Sequence, residues 1–387
     1  MMKVSFAVHL FGIAFVLING IDESNALAAS KSKARAKAGR STGGGGFGST
    51  QKTTYVHTPD TGEESKRLVQ FLNGQNAKGL DGIDIGFNKE TGRRGLFCTS
   101  KIKKNQKFCR IPSDCALALA DPSKNGADDP TPAHRGAYLL EKYMKIEEAR
   151  QMWSPYLDTL PTQDSMFDRT PDFFIDEDLK LLEFPRAINR AKQRKKEIED
   201  VAAERGLTLE ELQFATWLTT SRQFKLNIQS PESENDDIMP DQDEKGQIIS
   251  KGGEKKALYV MVPFIDIANH SSDQPNCKLT IIDPEKDDAW FALEATRPIA
   301  AGKELVIAYG NGLESSVELF QNYGFVPSAN KIDTMMLQKG GDDTIADLNG
   351  WTTTLEEDQT MVEMAKDDPV LQKILRFRIR LKESYGN

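Results

Sequence analysis

Between Asp266 and Asn276 the chain reads DIANHSSDQPN, directly after the apolar run Met261-Val262-Pro263-Phe264-Ile265. A segment that leaves a core and at once sets amide, imidazole and hydroxyl groups side by side is equipped to hold a polar ligand, because such groups must find hydrogen-bond partners when they lose water. Two other residues have similar potential. Arg222 follows Ala215 and Leu218 at helical spacing, so its guanidinium points where apolar side chains point. A charge there needs an anion, either an internal Asp or Glu or the carboxylate of a ligand. Tyr309 shares one strand face with Leu305 and Ile307, and Gly310 and Gly312 follow it. It is either a packing residue or an oriented phenol at a loop mouth where backbone can approach a ligand closely.

Other chemistries fit less well. The four cysteines, Cys98, Cys109, Cys115 and Cys277, form no C-x-x-C pair, and none of the four histidines has H-x-x-x-H spacing, so a structural metal site is not expected. Thr91-Gly92-Arg93-Arg94-Gly95-Leu96 is glycine-containing, but no helix opens after it, which argues against a phosphate-cradling loop. A net charge of −8 argues against a general nucleic-acid binder. The basic run Arg190–Lys196 continues into Glu197, Glu199 and Asp200, the pattern of a solvated helix face.

The elements that must position these residues read as β, then helical, then β. A helix is expected over Glu63–Asn73 and a short strand over Ile83–Phe87. A strand pair is expected from Gly95–Cys98 and Lys107–Ile111, with a polar turn at Lys103-Lys104-Asn105. From Thr131 to Ile228 the period is helical, with one long charged helix over Asp176–Glu204 and another over Thr208–Leu226, opened by the capping box Thr208-x-x-Glu211. Ser230–Lys256 is acidic and polar and reads as a long mobile loop. Strand patterns return over Ala257–Phe264, Lys278–Ile282, Ala289–Ala295 and Glu304–Tyr309.

At the N-terminus, Lys3, the apolar run Val4–Ile18 and the site Ala26-Leu27-Ala28 read as a secretory signal peptide over 1–28. Residues 29–60 read as a transit-like or disordered linker: Ser30–Pro59 has no Asp or Glu, six Lys or Arg, and a run of four glycines. The pair implies entry into the secretory route, with a plastid as destination or, alternatively, the ER or the exterior. In either case the mature form is expected to lie outside the membrane.

Taken as an ordered set, the motifs resemble those of SET-domain methyltransferases. Asp266-x-x-Asn269-His270-Ser271 followed by Pro275-Asn276-Cys277 resembles the family's N-H-S segment. Arg297–Leu305 and Ala308-Tyr309-Gly310 resemble the strand and tyrosine that follow it, and Gly95-Leu96-Phe97 with Ile102 resembles the first glycine motif. Thr220–Phe224 and Tyr323-Gly324-Phe325-Val326 look like the branch containing the Rubisco large-subunit lysine methyltransferases and the actin-histidine methyltransferase. Arg93 stands where the family often has Gly.

The resemblance implies an α+β fold over 61–330: small sheets around a threaded C-terminal segment, with a helical insert at about 120–256. A short helical extension over 331–387 follows, in which Val370–Leu381 is amphipathic. It implies S-adenosyl-L-methionine as cofactor, with Asp266, Asn269 and His270 lining its pocket. Gly92, Arg93 and Arg94 would make backbone contacts, and Arg222 would face the cofactor carboxylate. Tyr309 would be the catalytic tyrosine, also touching the cofactor, and Tyr323 a second tyrosine of the acceptor channel. His270 would then be a hydrogen-bonding residue, not a metal ligand or general base. The expected activity is protein-lysine N-methylation by a monomer; the alternatives are protein-histidine methylation and an inactive SET-like protein-binding module.

Overall fold

In the computed structural model, residues 56–121, 130–164, 170–229, 255–310 (apart from 285 and 287), 312–335 (apart from 334) and 350–385 are described. The signal peptide and most of the linker lie outside them, as does most of the acidic segment read as a loop. Among the described residues, eleven strands make three small sheets. β1 (His57–Pro59), β2 (Ile83–Asn88), β3 (Arg94–Cys98), β11 (Glu304–Ile307) and β8 (Asn269–His270) form one sheet in that spatial order. β4 (Lys107–Pro112), β10 (Trp290–Ala295) and β9 (Cys277–Ile282) form the second, and β5 (Leu117–Ala118), β7 (Lys255–Met261) and β6 (Gln223–Gln229) the third. The mixture of small sheets and helices is the expected α+β architecture.

The helices are α1 (Glu63–Gly74), α2 (Pro132–Leu139), α3 (Glu147–Leu157), α4 (Asp176–Leu181), α5 (Pro185–Arg205), α6 (Leu209–Arg222), α7 (Ser316–Tyr323), α8 (Leu355–Met364) and α9 (Pro369–Tyr385). Thr208 caps α6 by accepting from the Glu211 amide, and its hydroxyl donates to the Glu211 carboxylate at 2.7 Å. Ser315 and Glu318 close a reciprocal capping box on α7, satisfying two end amides that would otherwise lack partners.

Four expectations change. The segment expected as one helix over Asp176–Glu204 is two, α4 and α5. Pro185 removes an amide and restricts Phe184 to extended backbone (φ −128°, ψ 94°), so the helix must restart there. The helix expected to reach Leu226 ends at Arg222, because Gln223 begins β6 and pairs with Met261. β3 and β4 do not pair with each other: β3 lies between β2 and β11, and β4 pairs with β10. The connection runs through a bridge from Ile102 to Ile299, and alternation of residue types shows which face is buried without naming the partner strand. Finally, His57–Pro59, assigned to the linker, is the edge strand β1, tied to β2 by His57 Nε2 and Asp84 at 3.0 Å.

The main core joins α1, the sheets and the helical insert through Leu68, Leu96, Ile111, Leu218, Phe264 and Leu305. A second core lies where the C-terminal extension meets the insert: Ile374, Phe377 and Leu381 of α9 pack with Leu179, Phe184 and Phe320. The amphipathic Val370–Leu381 segment thus covers this chain's own helices. Beside it, Asp358 of α8 is wholly buried and receives Arg378 Nε at 3.1 Å and Lys382 Nζ at 2.6 Å. Among the described residues no helix is long and apolar enough to cross a membrane.

Candidate active site

The parallel pairing of β8 with β11, Asn269 opposite Val306 and His270 opposite Ile307, brings the polar stretch alongside Tyr309. His270 Nδ1 accepts the Tyr309 amide at 2.9 Å, and an amide can only donate, so the ring proton is on Nε2. Nε2 then donates to Ser272 Oγ at 2.7 Å. Burial pushes the imidazole pKa down to about 4, so His270 is neutral with both nitrogens engaged. It holds structure and leaves no lone pair for proton abstraction.

The Tyr309 hydroxyl donates to the Ala268 carbonyl at 3.1 Å. Its ring lies 4.6 Å from Tyr323, 5.1 Å from His270 and 6.3 Å from Phe325, centroid to centroid. Tyr323 is the last residue of α7, and Gly324 at φ +77° ends the helix in the left-handed conformation, turning Phe325 back toward the tyrosines. Burial foremost, then Glu314 and Tyr309, raises the Tyr323 phenol above its ordinary range. Both expected tyrosines therefore meet, and Phe325 joins them.

Asn269 works through its amide. Nδ2 donates to the Arg94 carbonyl at 2.9 Å and to Glu304 Oε1 at 2.8 Å, while the other Glu304 oxygen receives Asn88 Nδ2 at 3.1 Å. One carboxylate on β11 thus ties β2 and β8 together, and the Asn269 amide adds β3. It also explains Gly95, where a Cβ would stand 2.7 Å from Asn269 Nδ2 and 2.8 Å from Glu304 Oε1. Sequence reasoning passed over Glu304 and Asn88. The available signal was the strand period, which puts Glu304 with Val306 on the face opposite the buried Leu305 and Ile307.

A cavity of about 360 Å³ opens over this network, lined by Thr91, Arg93, Asn269, His270, Arg297 and Glu304 among others. Gly92 makes the turn at its rim with φ +68°. Arg94 contributes its carbonyl, but its side chain turns away, donating from Nε to Asp60 at 3.1 Å and from Nη2 to Ser65 Oγ at 2.7 Å. Asp266 does not line this cavity and lies beneath it in the interior. It is buried, and its Oδ2 accepts the Tyr156 hydroxyl at 2.7 Å and stands 3.9 Å from Arg222 Nη1. The internal anion for Arg222 is therefore Asp266. Burial raises the Asp266 pKa, opposed by Arg222 and then by Tyr156. Tyr156, on α3, was also missed.

Residues 93–310, more than half of the chain, match the SET domain family. The chain belongs to the SET-domain family. No curated protein sequence matches it significantly. Among solved structures, the SET domain of LSMT bound to lysine and AdoHcy is 14% identical, with a TM-score of 0.55 over 84% of this chain and 89% of that one. The same domain bound to MeLysine and AdoHcy is 13% identical, with a TM-score of 0.57 over 84% and 90%. Rubisco LSMT bound to AdoMet is 14% identical, with a TM-score of 0.55 over 83% and 89%. At these identities the likeness establishes the fold.

SET methyltransferases act on proteins and use S-adenosylmethionine, and the residues of this SET domain fit that molecule. Arg222 Nε and Asp266 Oδ1 are buried and make no hydrogen bond within the described residues. They are complementary to the carboxylate and ammonium of an amino-acid group. Among the described residues no group of three or more His, Cys, Asp or Glu side chains is placed to hold a metal ion.

Proposed function

We propose that this SET domain is an S-adenosylmethionine-dependent protein-lysine N-methyltransferase. The observation that carries the reading is the Tyr309 hydroxyl, held on the Ala268 carbonyl while Tyr323 and Phe325 pack beside its ring, next to a neutral His270. The solved LSMT structures, which contain lysine or MeLysine with AdoHcy, support the choice of acceptor.

The cofactor supplies a methyl group carried on a sulfonium. The protein's part is to align an amine with that methyl and to remove water from around it, which is positioning more than covalent assistance. Oxygen atoms of Tyr309 and Ala268 face the reacting region and favour the positive charge spread over the methyl group, a preorganised electrostatic contribution. A lysine amine begins near pKa 10.4. Aromatic walls lower that value by desolvation, and the sulfonium charge lowers it further, so the amine enters the reaction neutral. His270 cannot take its proton, since both ring nitrogens are engaged. The Tyr309 and Tyr323 rings, 4.6 Å apart, pack against each other and offer the acceptor side chain one continuous aromatic wall.

The test is calorimetric titration with S-adenosylmethionine of the wild type and of an Arg222→Ala, Asn269→Ala double variant, followed by methyl transfer from labelled cofactor onto lysine- and histidine-bearing peptide arrays. Micromolar binding lost in the variant, with label on lysine, is the expected result. A folded wild type that binds no cofactor would overturn the reading, and label confined to histidine would replace the acceptor.

A further inference from the structure

Arg93 lines the cavity with a charged side chain that makes no hydrogen bond or ion pair among the described residues. Its backbone is pinned: the carbonyl accepts the Asn88 amide at 2.8 Å, and its amide donates to Thr91 Oγ1 at 3.3 Å. The side chain is exposed, and its guanidinium carbon stands 6.0 Å from the centre of the Phe325 ring. Among the described residues it has no carboxylate partner, unlike Arg94 with Asp60 or Arg222 with Asp266. Phe325 in turn packs against His270, which lines the cavity, at 5.7 Å between ring centres.

We propose that the Arg93 side chain is an affinity determinant for the cofactor, closing over the outer face of the adenine while Phe325 supports the other. This rests on the reading of the cavity as the S-adenosylmethionine site. A flat base needs about 3.5 Å of clearance on each side, on the order of 7 Å between the two plates. The Arg93 guanidinium carbon stands 6.0 Å from the centre of the Phe325 ring, and an exposed, flexible side chain can swing by the small amount needed to admit a base between them. A guanidinium is planar, weakly hydrated and stacks well on aromatic faces, whereas an ammonium offers no plane. Glycine at this position would leave the outer face of the base to water.

The experiment is calorimetric titration of the full chain and its Arg93→Ala and Arg93→Lys variants with S-adenosylmethionine, S-adenosylhomocysteine and 5′-methylthioadenosine. The last keeps the base and sugar and lacks the amino-acid group. Arg93→Ala is expected to weaken all three by a similar factor, about five- to tenfold, with Arg93→Lys recovering only part. Unchanged melting temperatures would show that the pinned turn is intact. Loss restricted to the two ligands that carry a carboxylate would overturn the proposal, since Arg93 would then be an ion-pair partner. Equal affinities would overturn it too, and tighter binding by Arg93→Ala would make the side chain an obstruction. Absence of binding by the wild type itself would remove the site, and the clamp with it, an outcome distinct from a variant that matches a binding wild type.

Discussion

At the scale of single residues, the site is governed by which atoms are already occupied. His270 sits in a neutral tautomer set by a backbone amide on one nitrogen and Ser272 on the other. Its folded pKa of about 4 lies below the ordinary value of 6.5, so the unfolded chain binds the proton first as pH falls. Stability from this residue is therefore complete above about pH 6.5 and is lost progressively toward pH 4. Nitrogen-detected NMR of the imidazoles should show His270 protonated at Nε2 only and unchanged at pH 5.5; titration near 6.5 would disprove the assignment. Tyr309 makes the complementary case. Tyr309→Phe keeps the ring packed against Tyr323 and removes only the hydroxyl, so turnover should fall about a hundredfold while cofactor affinity stays within about twofold. Equal losses in both would show that the hydroxyl serves binding alone.

At the scale of elements, Glu304 decides whether the cavity keeps its floor. It opens β11 and receives amides from Asn88 at the end of β2 and Asn269 in β8. A carboxylate accepts at both oxygens, but a carboxamide accepts at only one, so Glu304→Gln sets a donor against a donor whichever way it turns. S-adenosylmethionine affinity is expected to fall about tenfold on the cost of one unsatisfied buried group. Gly95→Ala should cost more, because its methyl would occupy the space of the Asn269 amide. Titration calorimetry of both variants gives the check, and wild-type affinity in Gly95→Ala would contradict the proposed floor.

At the scale of the whole molecule, the C-terminal helices are fastened by buried charge as well as by apolar packing. Asp358 receives Arg378 and Lys382, which are 3% and 1% exposed, so neither cation has water to turn to. Asp358→Ala should destabilise the fold by about 3–5 kcal/mol in urea unfolding, since it leaves the buried Lys382 without a carboxylate and Arg378 with Glu183 alone. Replacing all three residues with apolar side chains of similar volume should restore most of that loss. A mild effect of the single change would mean that α8 and α9 are held by Phe377, Leu381 and their neighbours alone. The buried thiols Cys115 and Cys277, both raised to about 12 by burial first, add no reactive group to this frame.

Local rules were enough for much of this molecule. α1 and most strands were readable from periodicity, the α6 cap from Thr208 and Glu211, and the polar stretch at 266–276 from its abrupt change of side-chain type. Each is a property of neighbours in the chain, where spacing and propensity act directly. Partnership was decided only in three dimensions. That β3 pairs with β11 and not with β4, that Glu304 meets Asn88 across 216 positions, and that Asp266 turns to Tyr156 across 110 depend on chain segments brought together by burial. A sequence shows that a buried carboxylate needs a partner; only the packed structure chooses which donor reaches it, because that choice is made by distance and exclusion of water, neither of which is encoded by spacing along the chain.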